Sequence, residues 1–409
     1  MKTDPTGHPI SRRRFIELTA LSGAAAAYGV RGDDTAPPTD ADGNVIPGFE
    51  EHQAGPGAKG RWQPVSDRKL RVGIAGHGLC RFGAAFGFQD HPSVEVVAVT
   101  DLIADRRAAM ARACRCDKTY QSCEAMLDDD SIEAVYIATD APSHARLAIM
   151  ALQRGKHVAC AVPAVWGSLE DADALFNAVK KTGLTYMMFE TSYYHASLYA
   201  AHQRYDAGEL GKIVYAEGEY FHHFPTPLPG YNPKTNKVEP GGWRLGLPPM
   251  WYPTHATAYY TGVTGERFTE VSCMGMPSPI GYLQPENNPY RNPFGTEVAL
   301  LRTSEAGMSR MAMSWDVPTG QGEKGRVYGQ SDKRGNTPTQ RPPLPPGVKA
   351  GGHGGSHGYL MSEFVEAVLA ERRPWVDITA ALNMTVAGIV AHQSALKDGE
   401  LLKIPQYTL

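Results

Sequence analysis

A glycine-rich turn between two apolar runs constrains the fold of this chain more than any other feature. The first run, residues 70–75, leads into the turn at residues 76–78, and residues 79–89 after the turn have a composition compatible with a helix. The second run, residues 94–100, ends at Asp101. A strand, a helix and a second strand of these lengths predict a right-handed βαβ unit within a parallel sheet.

The turn and the acidic residue lie where a dinucleotide needs them. Glycine at positions 76 and 78 lets the backbone turn tightly and approach a pyrophosphate, which then sits on the free N–H groups of a helix N-terminus. Asp101 is placed to accept hydrogen bonds from an adenosine ribose, and this carboxylate favours NAD over NADP. The alternatives are an ordinary strand-to-helix turn and an Asp101 that only caps the following segment. We expect NAD to contact Gly76, His77, Gly78, Leu79, Cys80, Arg81 and Asp101.

The glycine pattern departs from the usual dinucleotide fingerprint at one position. Arg81 stands where the third glycine is usual, and Gly83 follows it. Because a glycine pattern alone is weak evidence, the prediction depends on the strands on both sides and on the acidic end of the second strand.

Composition and charge favour a globular protein that acts on small molecules. The 409 residues are enough for two domains. A formal net charge of −3 gives no electrostatic footprint for nucleic acid or for an anionic membrane. The six cysteines show neither zinc-type spacing nor a dense disulfide framework, and we expect no metal centre.

The N-terminal segment has the order of charge and hydrophobicity that export requires. Arg12 and Arg13 precede a modestly apolar, alanine-rich stretch at 18–30, which is too short and too weakly apolar for a membrane helix. The segment is similar to a twin-arginine signal, with small residues at 24–27 as cleavage sites. The alternative is a charged, disordered tail. We expect periplasmic or other extracytoplasmic localisation by twin-arginine export, without a membrane anchor.

The chain divides into four segments by pattern. Residues 1–30 form the export signal, and residues 31–67, rich in Gly, Pro and Asp, form a linker or arm. Residues 68–189 alternate apolar strands with helical stretches, which predicts an N-terminal Rossmann parallel sheet. Residues 190–409 predict an α+β domain for substrate binding and oligomerisation, with a large, mainly antiparallel open sheet. The expected fold class is therefore α/β, followed by α+β.

Individual elements and two insertions follow from the same patterns. Insertions rich in Pro and Gly lie at 225–246 and 337–358, and loops of such length inside a domain are usually functional or disordered. Strands are predicted at 134–138, 157–160, 185–189, 213–221, 268–274, 297–303 and 308–315, and helices at 359–370 and 379–397.

Motifs in the predicted parallel sheet resemble the Gfo/Idh/MocA oxidoreductases, and the resemblance extends over nearly the whole mature chain. In that family a strand ends in Thr-Pro, a histidine follows on the next helix, and Gly-Lys-His-Val leads to Glu-Lys-Pro. This sequence keeps Thr139, His144, the run 155–158 and Pro163. The resemblance implies that Thr139, His144 and Pro163 contact the cofactor. The family lysine, which helps to remove a proton from the substrate hydroxyl, is replaced by Val162, which cannot titrate.

A second set of motifs is similar to the NAD-dependent glycosidase branch of that family, whose known member removes α-linked N-acetylgalactosamine. That branch carries Tyr-Pro-Thr-His, Gly-Gly-His-Gly-Gly and Glu-Val-Pro. These motifs stand here at 252–255, at 351–355 and, with Ala161 in place of the glutamate, at 161–163. One functional carboxylate of the branch is therefore absent.

The resemblance supplies the candidate catalytic and substrate-binding residues. It implies that Tyr252 and His255 face the nicotinamide and the sugar, because an imidazole of near-neutral pKa can take a hydroxyl proton and return it, while Tyr252 passes or holds that proton. The alternative for His255 is a loop histidine with a satisfied hydrogen bond. The pairs His222-His223 and His353 with His357 lack the spacing of a metal site. We expect the substrate to contact Tyr194, Trp251 and His353.

Three functions remain open from the sequence. The first is an exported NAD-dependent glycosidase that cleaves a sugar through a transient keto intermediate and recycles its cofactor. The second is a conventional NAD-dependent sugar or polyol dehydrogenase. The third is a non-catalytic sugar- or nucleotide-binding protein. In each case we expect a small-molecule sugar or glycoside partner and a homo-oligomer.

Overall fold

The computed structural model describes residues 37–39, 45–46, 48–52, 60–223, 226–232, 234–333 and 335–409. The predicted export signal and part of the predicted arm lie outside these residues. Among the described helices, none is both long enough and apolar enough to cross a membrane.

Six short apolar strands form a parallel sheet in the first part of the chain. The strands are β1 (Leu70–Ala75), β2 (Val94–Thr100), β3 (Thr119–Tyr120), β4 (Ala134–Ile137), β5 (His157–Cys160) and β6 (Tyr186–Met188). Their order is β3-β2-β1-β4-β5-β6, and every neighbouring pair is parallel. The carboxyl ends of β1 and β4 thus meet at one edge of the sheet, where a ligand binds in folds of this type.

Helices connect these strands as the alternating pattern predicts. They are α1 (Phe82–Ala85), α2 (Ala104–Ala113), α3 (Cys123–Leu127), α4 (His144–Gln153) and α5 (Leu169–Thr182). Ser122 and Ser168 cap α3 and α5, since each side chain accepts a hydrogen bond from a backbone N–H of the first turn.

The helix expected at 79–89 is much shorter than predicted. Only α1 and a 3-10 turn at Phe88–Asp90 are helical, because Arg81 and Gly87 have φ values of 49° and 79°. Both values lie in the left-handed region, which interrupts a right-handed helix. Gly83 takes the packing role of the missing third glycine, since a Cβ at this position would lie 2.4 Å from the Gly76 carbonyl oxygen.

A second six-stranded sheet follows in the chain. Its strands are β7 (Ile213–Phe221), β10 (Phe268–Pro277), β11 (Phe294–Thr303), β12 (Met308–Ser314), β13 (Gly322–Gly329) and β14 (Leu402–Lys403), while β8 (Pro229–Asn232) and β9 (Lys237–Pro240) form a separate hairpin. The order is β13-β7-β12-β11-β10-β14. Only β7 and β12 pair in parallel, so the sheet is mainly antiparallel.

Helices cover one face of this second sheet. Helices α7 (Thr254–Thr264) and α9 (Ile378–Ala395) pack on its strands, while α6 (Ala196–Asp206) packs on α7, and α8 (His357–Leu369) packs on the 3-10 turn at Thr191–Tyr194. Helix α9 packs on β10, α7 and α5, and α7 packs on β7, so these two helices join the sheet to the rest of the molecule. The predicted fold class, a Rossmann parallel sheet followed by an α+β region with an open antiparallel sheet, is confirmed. The expected boundary at 189/190 falls between the last parallel strand and the first strand of the second sheet.

Candidate active site

The glycine turn after β1 leaves its backbone open to a cavity, as a bound dinucleotide requires. Gly76 has a φ of 100°, and a Cβ there would lie 2.3 Å from the Ala138 carbonyl oxygen, so no other residue fits. A Cβ at Gly78 would meet nothing within 4 Å. We call the space in front of this residue the turn cavity. It is lined by Gly78, Leu79, Cys80, Arg81, Asp101, Arg106, Thr139, Asp140, Tyr231 and Arg244, among others.

The expected cofactor contacts divide between the cavity wall and the layer behind it. Gly78, Leu79, Cys80, Arg81, Asp101 and Thr139 line the turn cavity. Gly76 and His77 lie behind the wall, where Gly76 donates a backbone hydrogen bond to Thr100 and the His77 side chain is buried. The pyrophosphate interaction predicted for this turn therefore falls to the backbone from Gly78 onward.

Asp101 fits both of the roles that its position suggested. Its Oδ2 atom accepts a hydrogen bond from the His77 N–H at 2.7 Å, and its Oδ1 atom accepts one from the Ile103 N–H at 2.8 Å. Burial raises the pKa of this carboxyl group, and the two N–H donors oppose that effect. Each oxygen keeps a second lone pair, so the carboxylate braces the turn and can still accept a ribose hydroxyl.

His144 and Pro163 hold the edge of the cavity instead of lining it. The His144 ring is buried, with Nδ1 2.8 Å from the Pro163 carbonyl oxygen and Nε2 3.3 Å from the Thr139 carbonyl oxygen. Burial lowers the pKa of this imidazole, although the two carbonyls and Asp140 favour its charged form. His144 joins the loops that follow β4 and β5, and Pro163 supplies one of the bonded carbonyls, so direct cofactor contact by either residue stays a prediction.

A second cavity adjoins the first and contains the predicted catalytic residues. Leu79, Cys80 and Arg244 line both cavities. We call the second space the histidine cavity. Its lining includes Phe49, Ala161, Val162, Phe189, Thr191, Tyr220, His222, Trp243, Tyr252, His255, Trp315 and His353.

Two buried carboxylates surround His255 in the histidine cavity. Its Nδ1 atom lies 2.8 Å from Oε1 of Glu190 and 3.5 Å from Oε1 of Glu323. Ser192 holds both carboxylates, because its N–H donates to Glu190 at 2.9 Å and its hydroxyl donates to Glu323 at 2.6 Å. Glu190 follows β6, Glu323 lies on β13 and His255 lies in the first turn of α7, so three distant segments build this cluster.

The cluster changes the charge state expected for the imidazole. Burial lowers the pKa of His255, but Glu190 and Glu323 outweigh burial and raise it to about 9. Burial raises the pKa of Glu190, but His255 and the hydrogen bonds to this carboxylate outweigh burial and lower the pKa below its usual value, so Glu190 is ionised. His255 is therefore an imidazolium at neutral pH, which corrects the expectation of a near-neutral pKa.

The three residues also have the spacing of a cation site. One ligand atom from each of Glu190, His255 and Glu323 lies within 4.8 Å of the others. In this structure Nδ1 of His255 lies at hydrogen-bond distance from Oε1 of Glu190, 2.8 Å. His255 and Glu190 accordingly form an ion pair.

Tyr252 lies beside His255 on a loop that is hydrogen-bonded to Glu297. The two ring centroids are 5.5 Å apart, and burial raises the pKa of the Tyr252 hydroxyl above its usual range. Glu297 fixes this loop by accepting the Met250 N–H at 2.8 Å, and its other oxygen lies 2.8 Å from Nδ1 of His392. Tyr252 is consequently a neutral phenol that can donate or accept a hydrogen bond.

His353 reaches the histidine cavity as a neutral ring. Its Nδ1 atom lies 2.9 Å from Nε2 of His357, whose Nδ1 atom lies 3.2 Å from the Ala85 carbonyl oxygen. A carbonyl only accepts, so His357 donates through Nδ1 and accepts through Nε2. His353 then donates through Nδ1 and keeps Nε2 as an acceptor. Burial lowers the pKa of both rings, to about 4 for His357.

The other two expected substrate contacts are packing residues. The Tyr194 ring stacks on Tyr359 at 5.5 Å in the aromatic core near α8. Trp251 packs edge-on against Trp166 at 5.7 Å and covers Gly167, where a Cβ would lie 2.6 Å from its ring. Neither ring lines the turn cavity or the histidine cavity, so the structure gives no support to the expected substrate contacts of Tyr194 and Trp251.

Sequence reasoning missed Glu190, Glu323 and Arg244. Glu190 directly follows the strand predicted at 185–189, and the end of a parallel strand is a position that would have identified it. Glu323 lies on β13, a strand that was not predicted because Gly322, Gly325 and three charged residues interrupt its apolar pattern. Arg244 belongs to the insertion expected at 225–246, and no local pattern marks it.

Residues 70–190 match the model of the family described as "Oxidoreductase family, NAD-binding Rossmann fold", GFO_IDH_MocA. Among curated relatives, "Glycosyl hydrolase family 109 protein 1" of Bacteroides fragilis (strain YCH46) is 31% identical over 171 residues, which cover 40% of this chain and 37% of that protein. "Glycosyl hydrolase family 109 protein 3" of Phocaeicola vulgatus is 29% identical over 239 residues, 53% of this chain and 43% of that protein. The chain thus spans less than half the length of these relatives.

Solved sugar dehydrogenases share the fold. A levoglucosan dehydrogenase in complex with NADH and levoglucosan superposes with a TM-score of 0.66 at 18% identity, covering 83% of this chain and all of that one. A scyllo-inositol dehydrogenase from Lactobacillus casei gives 0.63 at 16% identity, covering 83% of this chain and 99% of that one. These likenesses extend through both sheets, beyond the NAD-binding segment.

Proposed function

We propose that this chain, whose residues 70–190 belong to the NAD-binding Rossmann fold of the Gfo/Idh/MocA oxidoreductases, is an NAD-dependent oxidoreductase that acts on a sugar or glycoside. One observation carries the proposal. The histidine cavity, with Tyr252 and His255 in its wall, adjoins the turn cavity through the shared residues Leu79, Cys80 and Arg244. A substrate in the second cavity would lie next to a dinucleotide in the first.

The chemistry divides between the cofactor and the protein. NAD, when bound at the turn, supplies the acceptor and donor of a hydride. His255 handles the proton: the carboxylates engage Nδ1, which leaves Nε2 as the nitrogen that exchanges a proton with a substrate hydroxyl. Since His255 is an imidazolium in the free protein, it must lose a proton before it can act as a base.

A positive charge in the adjoining cavity would assist that loss. Like charges disfavour the protonated form of an imidazole, so a positively charged nicotinamide ring bound there would lower the pKa of His255. Val162 cannot replace the imidazole, because its side chain in the same cavity wall is apolar. We assign the proton-handling role to His255 and a hydrogen-bonding role to Tyr252.

Glycoside cleavage is the more specific form of the proposal. Oxidation of a ring hydroxyl to a ketone acidifies the neighbouring C–H, the glycosidic group leaves by elimination, water adds, and the returned hydride restores the hydroxyl. No net NADH accumulates. The relatives named as glycosyl hydrolases support this form, whereas the solved dehydrogenases support a conventional sugar dehydrogenase. The third alternative is a non-catalytic sugar- or nucleotide-binding protein. It is supported by Ala161 and Val162, which stand where the resembled proteins carry a glutamate and a lysine.

One experiment separates the three alternatives. The purified protein is denatured and bound NAD is measured by chromatography, and the protein is then assayed on a panel of aryl glycosides and free sugars with and without added NAD. Aglycone release without NADH accumulation supports the glycosidase, NADH accumulation in proportion to a free sugar supports the dehydrogenase, and bound NAD without turnover supports a binding protein. Absence of NAD binding would contradict the whole proposal. A chelator is included and is expected to have no effect.

The chain is further proposed to form a homo-oligomer through the uncovered face of the second sheet. Met274, Val298 and Leu300 on this face are 63%, 38% and 52% exposed. Two charged side chains of this face are paired within the chain, Arg310 with Glu219 at 2.6 Å, so this pair does not face a second copy as an isolated charge. Light scattering on the wild type and on Leu300→Glu tests this, since the substitution should reduce the oligomer to monomers, and a monomeric wild type would contradict it.

A further inference from the structure

Part of the predicted arm folds against the histidine cavity. We call residues 45–46 and 48–52 the arm strip. The His52 N–H donates a hydrogen bond to the Gly351 carbonyl oxygen at 3.1 Å, and the His353 N–H donates one to the Gly48 carbonyl oxygen. The arm strip is therefore hydrogen-bonded to the loop at 351–355, whose residue His353 lines the cavity.

Glycines let the arm strip and this loop approach each other closely. Gly48 has a φ of 93°, and a Cβ there would lie 3.0 Å from Nε2 of His353. On the loop side, a Cβ at Gly352 would lie 2.9 Å from the Gly48 carbonyl oxygen. Larger side chains at these two positions would separate the segments. The contact is accordingly specified by the residue types on both sides.

Phe49 is the central side chain of the arm strip. It is buried, its ring stacks on Phe82 with the centroids 5.4 Å apart, and it meets the His353 ring edge-on at 4.9 Å. Phe82 begins α1, shortly after the glycine turn, and lines both cavities. One ring thus joins the arm, the Rossmann segment and the loop at 351–355.

The arm strip gives the histidine cavity an apolar wall. Ile46 and Phe49 both line the cavity, together with the polar catalytic candidates Tyr252 and His255. Sites for small molecules combine apolar walls with a few polar groups that fix orientation. A sugar ring matches such a site, because its hydroxyl groups lie mostly at its edge and its C–H groups lie on its faces. The hydroxyls can engage the polar candidates while a C–H face packs on an aromatic ring.

We propose that Phe49 contacts the substrate directly, so that the arm strip is one wall of the sugar-binding site. The inference rests on the proposed action on a sugar or glycoside. It adds a substrate-binding residue that lies before the Rossmann segment in the chain and outside both sheets. Because Phe49 carries no titratable group, it acts on substrate binding, while proton transfer stays with His255. Loss of the ring should therefore change KM and not kcat.

The test separates substrate binding from turnover and from cofactor binding. KM, kcat and bound NAD are measured for the wild type, Phe49→Ala and Val45→Ala with the aryl glycoside or free sugar that the wild type turns over fastest. Phe49→Ala should raise KM on the order of 10- to 100-fold, the worth of a phenylalanine ring removed from water, with kcat within a few-fold and bound NAD unchanged. Val45→Ala, at a 39% exposed position of the same strip, should leave KM within about twofold.

A second comparison distinguishes direct contact from an effect through the neighbouring histidine. In a His353→Ala background, Phe49→Ala should still raise KM several-fold, because the ring has its own contact with the sugar. No further rise in that background would show that Phe49 only positions His353, and it would overturn the proposal. Phe49→Leu keeps the apolar bulk without the ring and should raise KM a few-fold, which preserves the test if circular dichroism shows that Phe49→Ala is misfolded.

The remaining outcomes decide between the proposal and its premise. Equal KM values in the wild type and in the folded Phe49 variants would overturn the role of the arm strip and leave the proposed function intact. If the wild type binds a sugar without turnover, the same variants are compared by calorimetric titration of that sugar, and the dissociation constant takes the place of KM. A wild type that binds no sugar of the panel refutes the proposed function itself, on which the inference rests.

Discussion

Nδ1 of His255 lies 2.8 Å from Oε1 of Glu190, although the two residues stand 65 positions apart and belong to different layers of the molecule. Glu190 follows the last strand of the parallel sheet, and His255 begins the helix that covers the second sheet. Their ion pair therefore joins the two halves of the structure at the wall of the histidine cavity.

The pH dependence of activity should follow the charge on this imidazole. Glu323→Gln removes one of the two carboxylates that stabilise the imidazolium, so the pKa of His255 should fall from about 9 by on the order of one unit. The pH midpoint of kcat/KM, and the midpoint of the His255 resonance in an NMR titration, should fall together. Glu219→Gln on the neighbouring strand serves as the control. A profile unchanged in Glu323→Gln would show that another group titrates.

Stability should depend on the same group. The pKa of His255 is raised in the folded protein, from an ordinary value of 6.5 to about 9. The stabilisation is therefore fully present below about pH 6.5 and lost as the pH rises through 9. The free energy of unfolding, measured with urea, should decrease in the wild type as the pH rises from about 6.5 to about 9. The decrease should be smaller in His255→Gln. Parallel curves for the two proteins would contradict the assigned shift.

Asp101 should matter to both the cofactor and the turn. Asp101→Ala removes a ribose acceptor and should weaken NAD binding by about 1–3 kcal/mol. Because the His77 and Ile103 N–H groups also lose their acceptor, the melting temperature should fall. Ser131→Ala, at an exposed position away from both cavities, is the control. If a titration gives the wild-type NAD affinity, Asp101 lies outside the nucleotide site.

The fold was predictable where signals are local, and the motifs located part of the site, including Tyr252, His255 and Asp101, but not the carboxylates around His255. The parallel strands are short apolar runs bounded by turn residues, so their positions follow from the sequence. The prediction of a helix over 79–89 was wrong because Arg81 adopts a left-handed conformation that its residue type does not suggest. Glu190 and Glu323 meet His255 only through contacts between distant segments, and no local pattern predicts such pairs. Tyr194 and Trp251, which were expected to contact the substrate, pack in aromatic clusters outside both cavities, because large aromatic side chains also supply buried area in a core.

Export is proposed from the N-terminal sequence, and its test is independent of the structure. The twin-arginine pathway reads the pair Arg12 and Arg13 and not general positive charge. Changing both residues to Lys keeps the charge and should leave folded, NAD-loaded protein in the cytoplasm. Cell fractionation measures the outcome, with Arg14→Lys as the control. Equal periplasmic recovery of the double variant and the wild type would refute this route.

The most direct test of the account is the turnover of His255→Ala with its bound NAD measured in the same sample. The glycine turn and Asp101 lie in the Rossmann segment, so the variant should keep the cofactor, while turnover should fall by roughly 10²–10⁴, the usual worth of a positioned acid–base group. Turnover within a few-fold of the wild type would contradict the account, because another group would then carry the proton. Loss of NAD together with turnover would show that His255 is structural.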